Sequence, residues 1–259
     1  MPSLSAFYAD KPVCFFVQKK VDTGLAFWEI ALTHGITIVT TMRTKTLLLA
    51  AVISATGAAT SLAQVYSVNA VGYINLDIPQ GFSIIANQLN ATPDNSIATV
   101  LPSAPDGTLA YKFDPTSGGF LIGNFDSFFG GWSGDPISLN PGDGVFISSP
   151  SAWTQTLVGE VPQGNLTTTL SSPFALVSSQ VPQQGGVSSA LGYPETDGAI
   201  LYFYTQDSNS DGIFDGYDIS SFDAFLGWQP AEPVVDVGQG FWSATQTAGT
   251  WTRNFSVNN

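Results

Sequence analysis

The chain is short of almost everything that common catalysis uses. Its 259 residues include one cysteine, Cys14, one histidine, His34, and two methionines. Charge is scarce and one-sided, with seven Lys and Arg against twenty Asp and Glu. No apolar run reaches the roughly 20 residues that a membrane-spanning helix needs. Each shortage excludes something. A lone cysteine gives no disulfide framework, so stability must come from packing or bound ions. An acidic chain repels nucleic acid and anionic membrane surfaces, and neither is expected as a partner.

The shortages deepen beyond the N-terminal region. Residues 42–63 read "MRTKTLLLAAVISATGAATSLA": Arg43 and Lys45, an apolar run from Leu47 to Ile53, then small residues, with Ser61 and Ala63 set for cleavage before Gln64. That is the order of a secretory signal; an internal buried helix is the competing reading. Residues 1–41 then read as an upstream extension from a misassigned start, Met42 being the true one, or as a genuine leader. The expected mature chain, 64–259, is exported to the periplasm, cell surface or medium. It keeps only Lys112 and Arg253 as cations, and neither His nor Cys. Triads and thiol chemistry are therefore closed to it, and zinc loses its preferred ligands. Acid-pair hydrolysis stays formally open. Its candidates are Asp106, Asp126, Asp197, Asp223, Glu160 and Glu195, but no pair among them stands out. The expectation is a protein that is not an enzyme.

What the chain does have is a duplication. "GFSIIANQLN…DGTLAYKF" from Gly81 to Phe113 matches "PFALVSSQVP…DGAILYFY" from Pro173 to Tyr204. Phe82 answers to Phe174, Tyr111 to Tyr202, Trp132 to Trp228, and "NPGDGVFISS" to "DVGQGFWSAT". Trp153-Thr154 answers to Trp251-Thr252. Two copies follow, 64–162 and 163–259, the second carrying an insertion. Short runs rich in Phe, Ile, Val, Tyr and Trp lie between Gly, Pro, Asn and Asp clusters. They predict strands near 70–77, 82–87, 108–113, 144–148 and 154–161, then 165–170, 174–179, 199–204, 240–244 and 251–257. Ile97, Val100 and Leu101, matched by Val187, Ala190 and Leu191, predict one short helical turn per copy. The fold class expected is all-β, two tandem related sandwich-like or barrel-like units.

These residues carry a resemblance. "SVNAVGYINLDIPQGFSIIANQLN", "LNPGDGVFI", "VGEVPQG" and "WTRNFSVN" resemble an uncharacterised family of secreted proteins from verrucomicrobia-type bacteria, over residues 65–258. The resemblance implies export and a β-rich module, and brings no activity with it.

Two stretches stand out chemically. "DSNSDGIFDGYD", residues 207–218, puts Asp207, Asn209, Asp211, the Ile213 carbonyl, Asp215 and Asp218 at positions 1, 3, 5, 7, 9 and 12 of a calcium loop, with Gly212 at the turn. Calcium takes six to eight hard oxygens, and this order supplies them. The stretch resembles dockerin and EF-hand loops, though Asp replaces the closing Glu and helical flanks are missing. The competing reading is a solvated acidic hairpin, since Asn, Asp, Gly and Ser turn unaided. The corresponding stretch of the first copy, Asp114 to Asp126, reads as an ordinary loop. "FDSFFGGW" joins Phe125, Phe128, Phe129 and Trp132 as a ligand or partner patch. Trp132, Trp153, Trp228, Trp242 and Trp251, with Tyr111 and Tyr202, form either a repeated core or a sugar-stacking platform; the recurrence of most of them favours core.

The function expected is a secreted, non-catalytic structural or adhesive protein of the envelope or matrix. Its partners would be itself or other envelope proteins, with structural Ca2+ as cofactor. The alternatives are a carbohydrate-binding module for extracellular glycans and an acid-pair glycoside hydrolase. Similar end strands, "VYSVNAVGY" and "NFSVNN", make head-to-tail strand addition conceivable.

Overall fold

Runs of β-branched and aromatic residues punctuated by glycine form hairpins when each run finds an antiparallel neighbour. The computed structural model describes residues 70–205 and 216–257. The expected signal segment 42–63 and the extension before it lie outside them. The first copy forms β1 (Val71–Ile78), β2 (Gly81–Ala86), α1 (Ile97–Val100), β3 (Leu109–Asp114), β4 (Gly119–Asp126), β5 (Gly131–Gly134), β6 (Gly144–Ser149) and β7 (Trp153–Glu160). The second forms β8 (Gly164–Leu170), β9 (Phe174–Ser178), β10 (Gly185–Gly186), β11 (Ile200–Thr205), β12 (Gly216–Asp223), β13 (Gly227–Gln229), β14 (Val234–Val235), β15 (Gly240–Ala244) and β16 (Gly249–Phe255). The fold is all-β, and every strand pairing is antiparallel.

The duplication is written in the topology. One five-stranded sheet runs β2-β6-β3-β4-β5, and the other runs β9-β15-β11-β12-β13. Strand for strand, these are the same order. Two-stranded ribbons, β1 with β7 and β8 with β16, complete the matching halves. A short extra pair, β10 with β14, belongs to the second copy alone.

The ten expected strands are present, shifted at their ends by no more than two residues. Six more form: the two-residue β10 and β14, and β4, β5, β12 and β13, all from stretches read as loop or left unassigned. Glycines at 118, 119 and 123 and Asn124 thin out the β-forming signal of β4. Pairing along all of β3, from Leu109↔Asn124 to Asp114↔Gly119, makes it a strand anyway. The first helical turn forms as α1, where the Ser96 hydroxyl accepts from the Thr99 amide. Its counterpart at 187–191 is a hydrogen-bonded turn rather than a helix. There Ala190 N and Leu191 N both donate to Gly186 O, and Glu232 Oε1 takes up the Ser188 and Ser189 amides at 2.7 Å.

Each sheet buries one face in its own copy's core. Ala110, Val145 and Ile147 pack beneath Ile97, Val100 and Leu101, with Ile74, Leu76 and Leu157 from the ribbon. In the second copy Val177, Leu201, Phe203 and Phe241 pack with Val187, Leu191 and Trp251. Trp251 is fully buried, and its indole donates to Leu191 O at 2.9 Å. In the first copy it is Trp132, the counterpart of Trp228 rather than of Trp251, that donates to Leu101 O, at 2.7 Å.

The two copies are interlocked by reciprocal contacts. Ile85 bridges Gln239, and Val177 bridges Asp143. Ala86 N donates to Gly238 O, and Ser178 N donates to Gly142 O, both at 2.9 Å. Exchanging the copies converts each contact into the other, which is the mark of an approximate two-fold axis. The paired "GxG" turns exist for this closeness. A Cβ on Gly142 would run into Thr168 of the other copy, and one on Gly238 would run into Leu76. Gly240 lies 3.2 Å, measured from its would-be Cβ, from the Cα of Gly144 across the axis. No side chain larger than hydrogen fits there.

Candidate functional site

Strand periodicity decides what each sheet shows on its second face. In the first copy Phe82, Tyr111, Phe113, Phe120, Ile122 and Phe146 point away from the core, as their cross-strand register requires. In the second, Phe174, Tyr202, Tyr204, Tyr217, Ile219 and Trp242 occupy the same places. These two faces confront one another across the two-fold. Trp242 meets Phe113 edge-on at 5.0 Å between centroids, and Phe146 meets Tyr204 at 5.6 Å.

The faces do not close completely. One cavity of about 620 Å3 is lined by Phe82, Tyr111, Phe120, Phe146, Tyr204 and Tyr217. A second of about 400 Å3 is lined by Phe113, Phe174, Tyr202, Tyr217 and Trp242. Tyr217 borders both. Phe82, Phe120 and Phe174 remain more than two-fifths exposed. The polar atoms of these lining side chains are phenol hydroxyls and the Trp242 indole N–H, which bonds to the Tyr217 hydroxyl. Burial pushes the phenols of Tyr204 and Tyr217 above their usual range, the first helped by its neighbour Tyr217 and the second opposed by the Trp242 bond. Both stay neutral at physiological pH. Among the described residues the cleft is therefore aromatic, uncharged and open to solvent.

The recurring aromatics thus divide. Trp132, Trp228 and Trp251 serve the cores, as their repetition suggested, while Tyr111, Tyr202 and Trp242 line the shared cleft. Repetition reflects a duplicated interface as well as a duplicated core.

The proposed partner patch also divides. Phe125 is 6% exposed and packs edge-on against partly buried Trp132 at 5.5 Å, so both belong to the core. Phe128 and Phe129, 87% and 79% exposed, stand at the turn between β4 and β5. Sequence reasoning missed their twin: Phe225 and Leu226, 98% and 71% exposed, stand at the turn between β12 and β13. The shared string, "FDSFFGGW" against "FDAFLGW", is the signal that could have found it.

Both tips are braced alike. Asp126 accepts from the Phe128 amide at 2.9 Å, and Asp106 accepts from the amide and hydroxyl of Ser127 at 2.6 and 2.9 Å. Asp223 accepts from the amides of Phe225 and Leu226 at 2.8 and 3.0 Å, and Asp197 from Ala224 at 3.0 Å. Four of the six acid-pair candidates thus hold loops in place. Of the others, Glu160 lies exposed on β7 and Glu195 lies exposed before β11.

The acidic stretch connects β11 to β12. Asp207, Asn209, Asp211, Ile213 and Asp215 lie outside the described residues. Asp218, the intended twelfth ligand, is exposed within β12, opposite Phe203. Among the described residues no group of three or more His, Cys, Asp or Glu is placed to hold a metal ion. The two cations of 64–259 both have structural roles. Lys112 bonds Asp143 at 2.6 Å in the first "GxG" turn, and Arg253 bonds Gln183 and lies over the Phe255 ring. Among the described residues no helix is long and apolar enough to cross a membrane. No family model matches the chain, and no curated protein or solved structure matches it either.

Proposed function

We propose that the protein is an exported, non-catalytic structural or adhesive protein that holds its partners, copies of itself or other envelope proteins, by apolar surface contact. The observation that carries this reading is the pair of braced tips. Large apolar side chains scattered singly over a surface need no explanation, but four of them, in matched pairs on matched loops, are a repeated feature. Burying one such side chain against a partner contributes about 1.5–3 kcal/mol. Carboxylates that hold the loop beforehand reduce the ordering cost of binding. The acidic surface and the structural use of both cations favour uncharged contact surfaces over anionic ones. Calcium in the 207–218 loop would stiffen a long hairpin connection and take no part in the contact; the ligand spacing supports that.

The test is a fourfold variant, Phe128→Ser, Phe129→Ser, Phe225→Ser and Leu226→Ser. Self-association by sedimentation and retention on isolated envelopes are measured beside the parent protein. Both should fall at least tenfold with the circular dichroism spectrum unchanged; undiminished association and retention would refute the reading.

The carbohydrate-binding alternative draws support from one feature, the several exposed rings in one cleft. Sugars also need converging amides, carboxylates or cations for their hydroxyls, and the described lining residues offer none.

A further inference from the structure

We infer that the cleft between the two sheets is a binding site for an elongated, uncharged apolar molecule. This stands apart from the tips, and from the adhesive reading they support. Two cavities in the size range of small-molecule sites share Tyr217 as a common wall, so a single ligand spans both. The chemistry of the walls sets its class. Among the described residues neither cavity is lined by a cation, so a carboxylate or phosphate would find no partner charge there. Among the described lining residues there is no amide side chain or carboxylate, so a glycan's hydroxyls would find no partners among them. Phenol hydroxyls in the walls can hydrogen-bond an ether, ester or alcohol oxygen. Ring edges and faces take up the remainder of the ligand.

The site exists only because the chain is duplicated. Phe146 and Trp242 are equivalent residues, yet they meet at 6.1 Å from opposite walls. Each copy supplies one aromatic wall, and the two walls facing one another form an open cleft.

The test titrates the full chain with N-phenyl-1-naphthylamine, a neutral two-ring probe that brightens on leaving water. Saturable 1:1 binding is expected. Phe120→Asp and Tyr217→Asp, both at exposed edges of the cleft, should each weaken it tenfold or more. The tip variant Phe128→Ser with Phe225→Ser should stay within twofold of the parent. Competition on the unaltered protein then reads the ligand class without relying on any variant's folding. 1-Decanol should displace the probe, decanoate should need at least tenfold more, and cellohexaose should displace none. Unsaturable binding, displacement by cellohexaose, equal displacement by decanoate, or loss in the tip variant alone would each overturn the assignment. A probe signal that grows on dilution of the protein would identify a second copy as the occupant and overturn it too.

Discussion

Gly238 shows how much one missing side chain can hold in place. Its φ of +80° is costly for any other residue, and its Cα faces Leu76 of the other copy with no room between. Gly107 has a similar φ of +86° but open space around it. The pair separates backbone strain from packing. Gly107→Ala should cost about 1–2 kcal/mol, the left-handed penalty alone. Gly238→Ala should cost that and about 1–3 kcal/mol more for overpacking, read as urea midpoints. Equal losses would mean that the turn does not grip the opposite copy.

Tyr193 supplies a pH signature at the same scale. Its buried hydroxyl bonds Ser243 Oγ at 2.6 Å, and burial outweighs that bond to raise its pKa above the ordinary phenol value of 10.0. Below that value both folded and unfolded chains hold the proton, and the contribution to stability is complete. As pH rises past it the unfolded chain ionises first, so stability falls until the folded pKa is passed. Tyr193→Phe should cost about 1–3 kcal/mol at pH 7 through the stranded Ser243 hydroxyl, and should flatten the decline above pH 10. A decline as steep as the parent's would place its origin elsewhere, Tyr204 and Tyr217 being the next candidates.

At the scale of elements, legibility followed amphipathicity. β2, β3, β6 and their counterparts are dense in β-formers and were readable to within two residues. β4 and β12 were not, because two glycines and Asn124 interrupt the first, glycine, serine and aspartate dominate the second, and pairing with the neighbouring strand makes both extended. Which face each aromatic takes was also hidden. In "LAYKF" alternation points the wrong way, since Leu109, Tyr111 and Phe113 share the more apolar face while Ala110, beside Lys112 on the other, is the residue packed in the core. The twin tip was masked because the longer β11–β12 connection shifts the period just before it. That connection can be tested directly. Replacing residues 206–215 with Pro-Thr-Ser-Gly, the four residues that join β3 to β4, should leave the β-sheet spectrum unchanged. The parent should melt higher in calcium than in chelator, and the replacement should not. A replacement that keeps the calcium shift would remove the loop from consideration.

At the scale of the molecule, the chain forms a two-fold arrangement in which neither copy is finished without the other. Each sheet covers one face with its own core and needs the opposite copy's aromatics for the other. The sequence made the duplication plain and suggested two units side by side. The reciprocal bridges, the glycine contacts and the cleft are settled only by the fold, since each joins residues about 25 to 160 positions apart. Cleft and tips alike depend on the copies folding as one. The most direct measurement is equilibrium urea unfolding of residues 64–259, followed together by tryptophan fluorescence and far-ultraviolet circular dichroism, beside residues 64–162 alone. One coincident transition for the pair, with the lone copy failing to show a cooperative one, is the predicted result. Two separated transitions, or a lone copy unfolding at the parent's midpoint, would contradict the account.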